Sequence, residues 1–104
     1  MQSMSVSQLA ILIEQSTPVL IDVREPWEFD TCHIDGSINI PMGQIPLEFE
    51  KLDADKETVV ICHHGVRSRQ VILFLEQQAF ENLINLEGGV DAWAREVDNE
   101  MPVY

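Results

Sequence analysis

Positive charge is what this sequence has least of. Six lysines and arginines stand against 18 aspartates and glutamates, a formal net charge of −12 over 104 residues. Such a surface repels phosphate backbones, so nucleic acid is excluded as a partner. The plain consequence of the imbalance is solubility; the functional alternative is a basic partner protein. Long apolar runs are also missing. None approaches the roughly 20 residues that cross a bilayer, so no membrane association is expected. The opening Met1-Gln2-Ser3-Met4 has neither a basic stretch nor an apolar segment. A secretory leader is therefore not expected, and the cytoplasm is the expected location. Cysteine occurs only twice, as Cys32 and Cys62. A small secreted scaffold stapled by disulfides would carry more. There is no internal repeat, low-complexity tract or linker, and the length suits one compact domain over residues 1–104.

What remains reads as alternating strands and helices. Ser5 followed by Gln8 forms a capping box, and Leu9, Leu12 and Ile13 at helical spacing predict an amphipathic helix over 6–15. The apolar run 19–23 predicts a buried strand. Pro26 suits the first position of a short helix over 27–30. A second strand is expected over 37–41, stopped by Pro41, and a weak helix over 44–51. Residues 58–62, Thr-Val-Val-Ile-Cys, form the clearest strand: β-branched, unbroken and ended by a polar run. A helix over 68–78, a strand over 83–86 and a last helix over 90–97 complete the chain. The alternation predicts an α/β domain with a mostly parallel sheet covered by helices on both faces. Ligand sites in such sheets lie at the carboxyl ends of the strands, which is where Cys62 falls.

The segment Cys62-His63-His64-Gly65-Val66-Arg67-Ser68 joins that strand to a helix. Gly65 permits a turn that other residues resist. Consecutive amides in such a turn can form a nest for negative charge, and the helix start adds free N–H groups and the positive end of a dipole. Arg67 adds a permanent cation. A cysteine placed there is expected to favour its thiolate, the nucleophilic form. Such a thiolate can take sulfane sulfur from a donor, keep it as a persulfide and yield it to a second nucleophile. The plain alternative is a buried structural cysteine acting as a small hydrophobe.

The same segment resembles the active-site loop of the rhodanese family: a cysteine, four residues, then arginine. Three further stretches resemble family motifs in the family's order. They are Leu20-Ile21-Asp22-Val23-Arg24-Glu25, the run from Glu28 to Pro41 with His33-Ile34-Asp35-Gly36-Ser37-Ile38-Asn39-Ile40-Pro41, and Asn85-Leu86-Glu87-Gly88-Gly89-Val90-Asp91-Ala92-Trp93. The resemblance implies a central parallel five-stranded sheet with flanking helices. It implies Cys62 as the persulfide-forming nucleophile and the amides of residues 63–68 as its cradle. A six-residue loop from Cys62 to Arg67 resembles the sulfurtransferases; the related cell-cycle phosphatases have one residue more. Cys32 departs from the pattern, since the family usually has glycine before the His-Ile pair, and a slightly different turn is expected there.

Around the loop, Arg24 is expected to tie down structure by pairing with Glu25 or Glu28, as a surface ion pair. Asp22, in an otherwise apolar strand, is expected to hold loop amides in place, because a buried carboxylate needs hydrogen bonds. His63 and His64 are expected to point outward and shape access to the thiol. Their spacing with Cys62 does not match a usual zinc site, so no metal is expected. Ser68 is expected to cap the helix after the loop. Cys32 reads as packing, with a resolving thiol as the lesser alternative, and Trp27, Phe29 and Trp93 read as core or rim aromatics. The expected function is transfer of sulfane sulfur from a donor such as thiosulfate to cyanide or a thiol, without a cofactor. Alternatives are a sulfur carrier serving a basic sulfur-accepting protein and a non-catalytic binding module.

Overall fold

The computed structural model describes residues 1–104 as a five-stranded sheet with helices on both faces. The strands are β1 (Gln2–Met4), β2 (Val19–Asp22), β3 (Ile38–Asn39), β4 (Thr58–Ile61) and β5 (Leu83–Leu86). The helices are α1 (Val6–Gln15), α2 (Pro26–Thr31), α3 (Ile45–Glu48) between two 3-10 turns, α4 (Val66–Gln77) and α5 (Gly89–Glu96). The sheet order is β1-β5-β4-β2-β3 and every pairing is parallel.

The expected strands and helices form with ends shifted by at most two residues, except that the weak helix expected over 44–51 is α-helical only over Ile45–Glu48 and continues as a 3-10 turn. The element not anticipated is β1. Gln2-Ser3-Met4 has no apolar run to announce it, and it is a largely exposed edge strand that borrows its order from β5. The predicted box at Ser5 and Gln8 closes in both directions, with bonds of 2.9 and 3.2 Å.

Both faces of the sheet are buried, so the strands alternate between two cores rather than between core and water. Leu20, Val59, Ile61, Ile84 and Leu86 pack toward α1 and α5 with Val6, Leu9, Val90 and Trp93. Ile21, Val23, Val60, Cys62 and Leu83 face the other way, with Ile45, Val71, Ile72 and Leu75. Trp93 is thus core, whereas Trp27 is 63 % exposed.

Two features of this layout position the site. Asp22 pairs with Ile61, so β2 and β4 end flush, and the Val23 amide donates to the Ile61 carbonyl at 2.9 Å. Between these two strands the chain's course diverges, β2 leading to β3 on one side and β4 to β5 on the other. In open α/β sheets ligand sites lie at such a divergence, outside the carboxyl ends of the strands.

Candidate active site

Cys62 directly follows the last residue of β4 at that edge of the sheet and is 1 % exposed. Its Sγ accepts a hydrogen bond from the Gly65 amide at 3.0 Å and lies 3.3 Å from Ser68 Oγ. Gly65 makes the turn with φ of +105°, a left-handed conformation that favours glycine, and caps α4 without any side-chain bond. Ser68 is therefore not the helix cap. It lies inside the first turn, and its hydroxyl bonds the Asn85 side-chain carbonyl on one side and Cys62 on the other. A hydroxyl has one proton. While Cys62 is a thiol, its S–H can donate to Ser68; once Cys62 ionises, Ser68 can turn its own proton toward sulfur.

The amides of His63, His64, Val66, Arg67 and Ser68 find no acceptor within the chain. They belong to the loop and first helical turn that follow Cys62, and are free to bind an anion. The neighbouring cations are already engaged. Arg67 makes a two-pronged bond to Glu28, 2.7 Å to Oε1 and 2.9 Å to Oε2. Arg69 pairs with Glu87, its Nη2 donating to both carboxylate oxygens. Arg67, expected as a permanent cation of the loop, here also clamps the loop to α2. Attraction for an anion here comes chiefly from backbone N–H groups and the α4 terminus.

Beneath the clamp lies a second ion pair. Arg24, expected at the surface beside Glu25 or Glu28, is fully buried and takes Asp22 as its partner, with bonds of 2.7 to 3.1 Å. Asp22 also accepts from the Arg24 amide at 3.0 Å, so it holds the turn after β2 rather than amides of the Cys62 loop. The guanidinium completes its set with the carbonyls of Glu28 and Cys32 and the Tyr104 hydroxyl. Burial opposes its charge, but the bonds to Asp22 and Tyr104 outweigh it and raise its pKa. Cys32 is extended there (φ −168°), a conformation open to any residue, so replacing glycine imposes no special turn.

The histidines do not simply point outward. His63 is half-buried, stacked on Tyr104 at 4.0 Å, with the His64 ring 3.9 Å away. Burial first, then the neighbouring His64 charge, lower the pKa of His63 against the pull of Asp91 and Glu28. Ring atoms of both histidines and a carboxylate oxygen of Asp91 lie within 4.8 Å of one another. The grouping thus involves Asp91 rather than Cys62, and Asp91 is already held by Arg95 at 3.1 Å.

The closing glycine pair belongs to the site. The Val90 and Asp91 amides at the start of α5 donate to the carbonyls of Cys62 and His63 at 3.0 and 3.1 Å. Gly89 allows that approach: a Cβ there would stand 2.2 Å from the Cys62 carbonyl oxygen.

Three site residues escaped the sequence reading. Asn85 had a legible signal, a polar residue inside an apolar strand, the same signal that marked Asp22. Glu28 was visible only as a partner for the wrong arginine. Tyr104 had none, because its partners lie 76 and 80 residues away.

A profile described as "Rhodanese-like domain" matches residues 5–96. The putative sulfurtransferase YtwF of Bacillus subtilis is 47 % identical over 77 residues, 74 % of each chain. The thiosulfate sulfurtransferase GlpE of Shewanella oneidensis is 32 % identical over 90 residues, 86 % of this chain and 89 % of its own. The adenylyltransferase and sulfurtransferase uba4 of Ogataea parapolymorpha is 34 % identical over 99 % of this chain, which spans only 26 % of that relative's length. The crystal structure of a rhodanese-related protein from Thermoplasma volcanium superposes with a TM-score of 0.85 at 35 % identity, covering 93 % of this chain and 94 % of that one. By its matched residues and its fold, this chain belongs to the rhodanese-like domain family.

Proposed function

We propose that residues 1–104 form one rhodanese-like domain that transfers sulfane sulfur through a persulfide on Cys62. The observation that carries this reading is the Cys62 sulfur held by the Gly65 amide in a loop whose other amides, those of residues 63, 64 and 66–68, have no acceptor in the chain. With thiosulfate, the Cys62 thiolate attacks the outer sulfur. A new S–S bond forms to Cys62, the S–S bond of thiosulfate breaks, and sulfite leaves with the electron pair. The terminal sulfur carries the negative charge, which the amides of residues 63–68 and the α4 terminus stabilise. An acceptor then attacks that sulfur and Cys62 leaves as thiolate; cyanide becomes thiocyanate, and a thiolate becomes a persulfide. Neither metal nor organic cofactor is required. A cytoplasmic, reducing setting suits two free thiols. The names of the YtwF and GlpE relatives support the chemistry.

A sulfur-carrying role toward a basic acceptor protein is the second reading. The net charge of −12 favours it, as does the pairing of Arg67 and Arg69, which leaves a small anionic donor little side-chain attraction.

Intact-protein mass spectrometry after incubation with thiosulfate tests the proposal. The wild type should gain one sulfur atom that cyanide removes, and Cys62→Ser should gain none. No gain from thiosulfate or from a stronger persulfide donor sinks the proposal in favour of a binding module.

A further inference from the structure

Tyr104 touches both ends of the loop. At one end its ring lies flat on His63, with centroids 4.0 Å apart and planes 2° from parallel. At the other its hydroxyl donates to Glu28 Oε2 at 2.8 Å, and Glu28 is the carboxylate that grips Arg67. The same hydroxyl accepts from Arg24 Nη1 at 2.7 Å, so one oxygen joins the buried Asp22–Arg24 pair to the Glu28–Arg67 clamp. This direction of donation needs a neutral phenol. Burial, then the bond to Glu28, push the Tyr104 pKa up to about 12 against the opposing effect of Arg24. Each Glu28 oxygen thereby receives two donors: Arg67 and the Glu25 amide on Oε1, Arg67 and Tyr104 on Oε2. A carboxylate held at four points cannot swing without breaking one.

We infer that Tyr104 is a positioning residue of the sulfur site, its hydroxyl fixing Arg67 through Glu28 and its ring seating His63, so that the segment after α5 holds the cradle's amides in convergence. The activity arm rests on the sulfur-transfer reading; the structural arm does not.

The test compares Tyr104→Phe and Tyr104→Ala with wild type in the full chain. Phenylalanine keeps the stack and loses both hydroxyl bonds, whereas alanine loses everything. Steady-state transfer from thiosulfate to cyanide should show KM for thiosulfate raised about 3- to 10-fold in Tyr104→Phe, with kcat within about twofold. In Tyr104→Ala, kcat should fall as well. Combining Tyr104→Phe with Glu28→Gln should be no worse than Glu28→Gln alone, because the hydroxyl acts through that carboxylate. NMR titration of His63, which faces His64, Asp91, Glu28 and Tyr104, should be unchanged in the phenylalanine variant. In the alanine variant it should move up toward the ordinary histidine value as the ring is uncovered. Amide order parameters of residues 63–67 should fall from ~0.85 toward ~0.6 in Tyr104→Ala with β4 unaffected. Unchanged order parameters in Tyr104→Ala overturn the inference, as does a Tyr104→Phe effect that adds fully to Glu28→Gln. If the wild type accepts no sulfur, the transfer reading falls and the order parameters alone decide the role of Tyr104.

Discussion

Ser68 shows how much one buried hydroxyl can control. It stands between the Cys62 sulfur and the Asn85 amide, and Asn85 in turn donates to the Gly65 carbonyl at 3.3 Å. Ser68→Ala strands a buried acceptor on Asn85 and removes a donor to the thiolate. We expect a loss of about 1–3 kcal/mol in urea unfolding, and a fall of about tenfold in the rate at which Cys62 accepts sulfur. A retained rate would remove Ser68 from the chemistry. Glu28 carries a different liability. The Arg67 hydrogen bond, aided by the Glu25 amide and Tyr104 against the cost of burial, lowers its pKa from 4.5 to about 2. A depressed folded pKa gives stability that is complete above the unfolded value and fades as pH falls from about 4.5 toward 2. Glu28→Gln should be less stable than wild type at pH 7 and should lose less further stability between about pH 5 and 2.5, seen in urea midpoints. Parallel pH dependences for the two proteins would contradict this.

Among the elements, the end of α4 and the start of α5 both hold a left-handed residue, alanine in one and glycine in the other. At the end of α4 the Phe80 amide reaches the Leu75 carbonyl at 3.1 Å and the Ala79 amide reaches that of Glu76 at 3.2 Å, a Schellman closure. The left-handed residue of that motif is Ala79, with φ of +68°, where glycine would be unstrained. Ala79→Gly should stabilise the protein by about 0.5–1 kcal/mol with no change in transfer rate; a destabilised variant would refute the strain argument. Gly89 is the reverse case. A side chain there meets the Cys62 carbonyl, so Gly89→Ala must lift α5 and break its bonds to the loop. We expect a cost of about 3 kcal/mol or more and loss of sulfur loading; a fully loaded, fully stable variant would contradict the packing. Strands and helices were legible where local pattern suffices: the β-branched run of β4, the capping box of α1, the proline opening α2. Strand β1 was not, because an edge strand of Gln-Ser-Met acquires its identity from β5. Cys62 and Gly65 were legible because their chemistry is local to one turn. The partners of Arg67 and Ser68 were not, because they stand 39 and 17 residues away and only the fold brings them close; that of Arg24 was missed although Asp22 is two residues away, because Arg24 was assigned to the surface and is buried.

At the scale of the whole molecule, charge governs the encounter and geometry governs the reaction. A net charge of −12 repels a small dianion, which on the proposed reading includes a donor such as thiosulfate. Raising ionic strength from about 0.01 to 0.2 M shortens the reach of that repulsion. The kcat/KM for thiosulfate should therefore rise severalfold with salt, while transfer to a basic acceptor protein should fall. Identical salt dependences for the two would show that the surface charge steers neither.

The amides around Cys62 belong to the backbone, and every residue but proline supplies the same N–H. No exchange of one ordinary side chain for another can delete a donor from the cradle. The chain can therefore diversify at exposed His64 and Val66, altering which molecules approach the thiol while the groups that stabilise its cargo stay in place. On the sulfur-transfer proposal, specificity and catalysis would be carried by separable parts of the same loop, so a different rim could keep the same reaction.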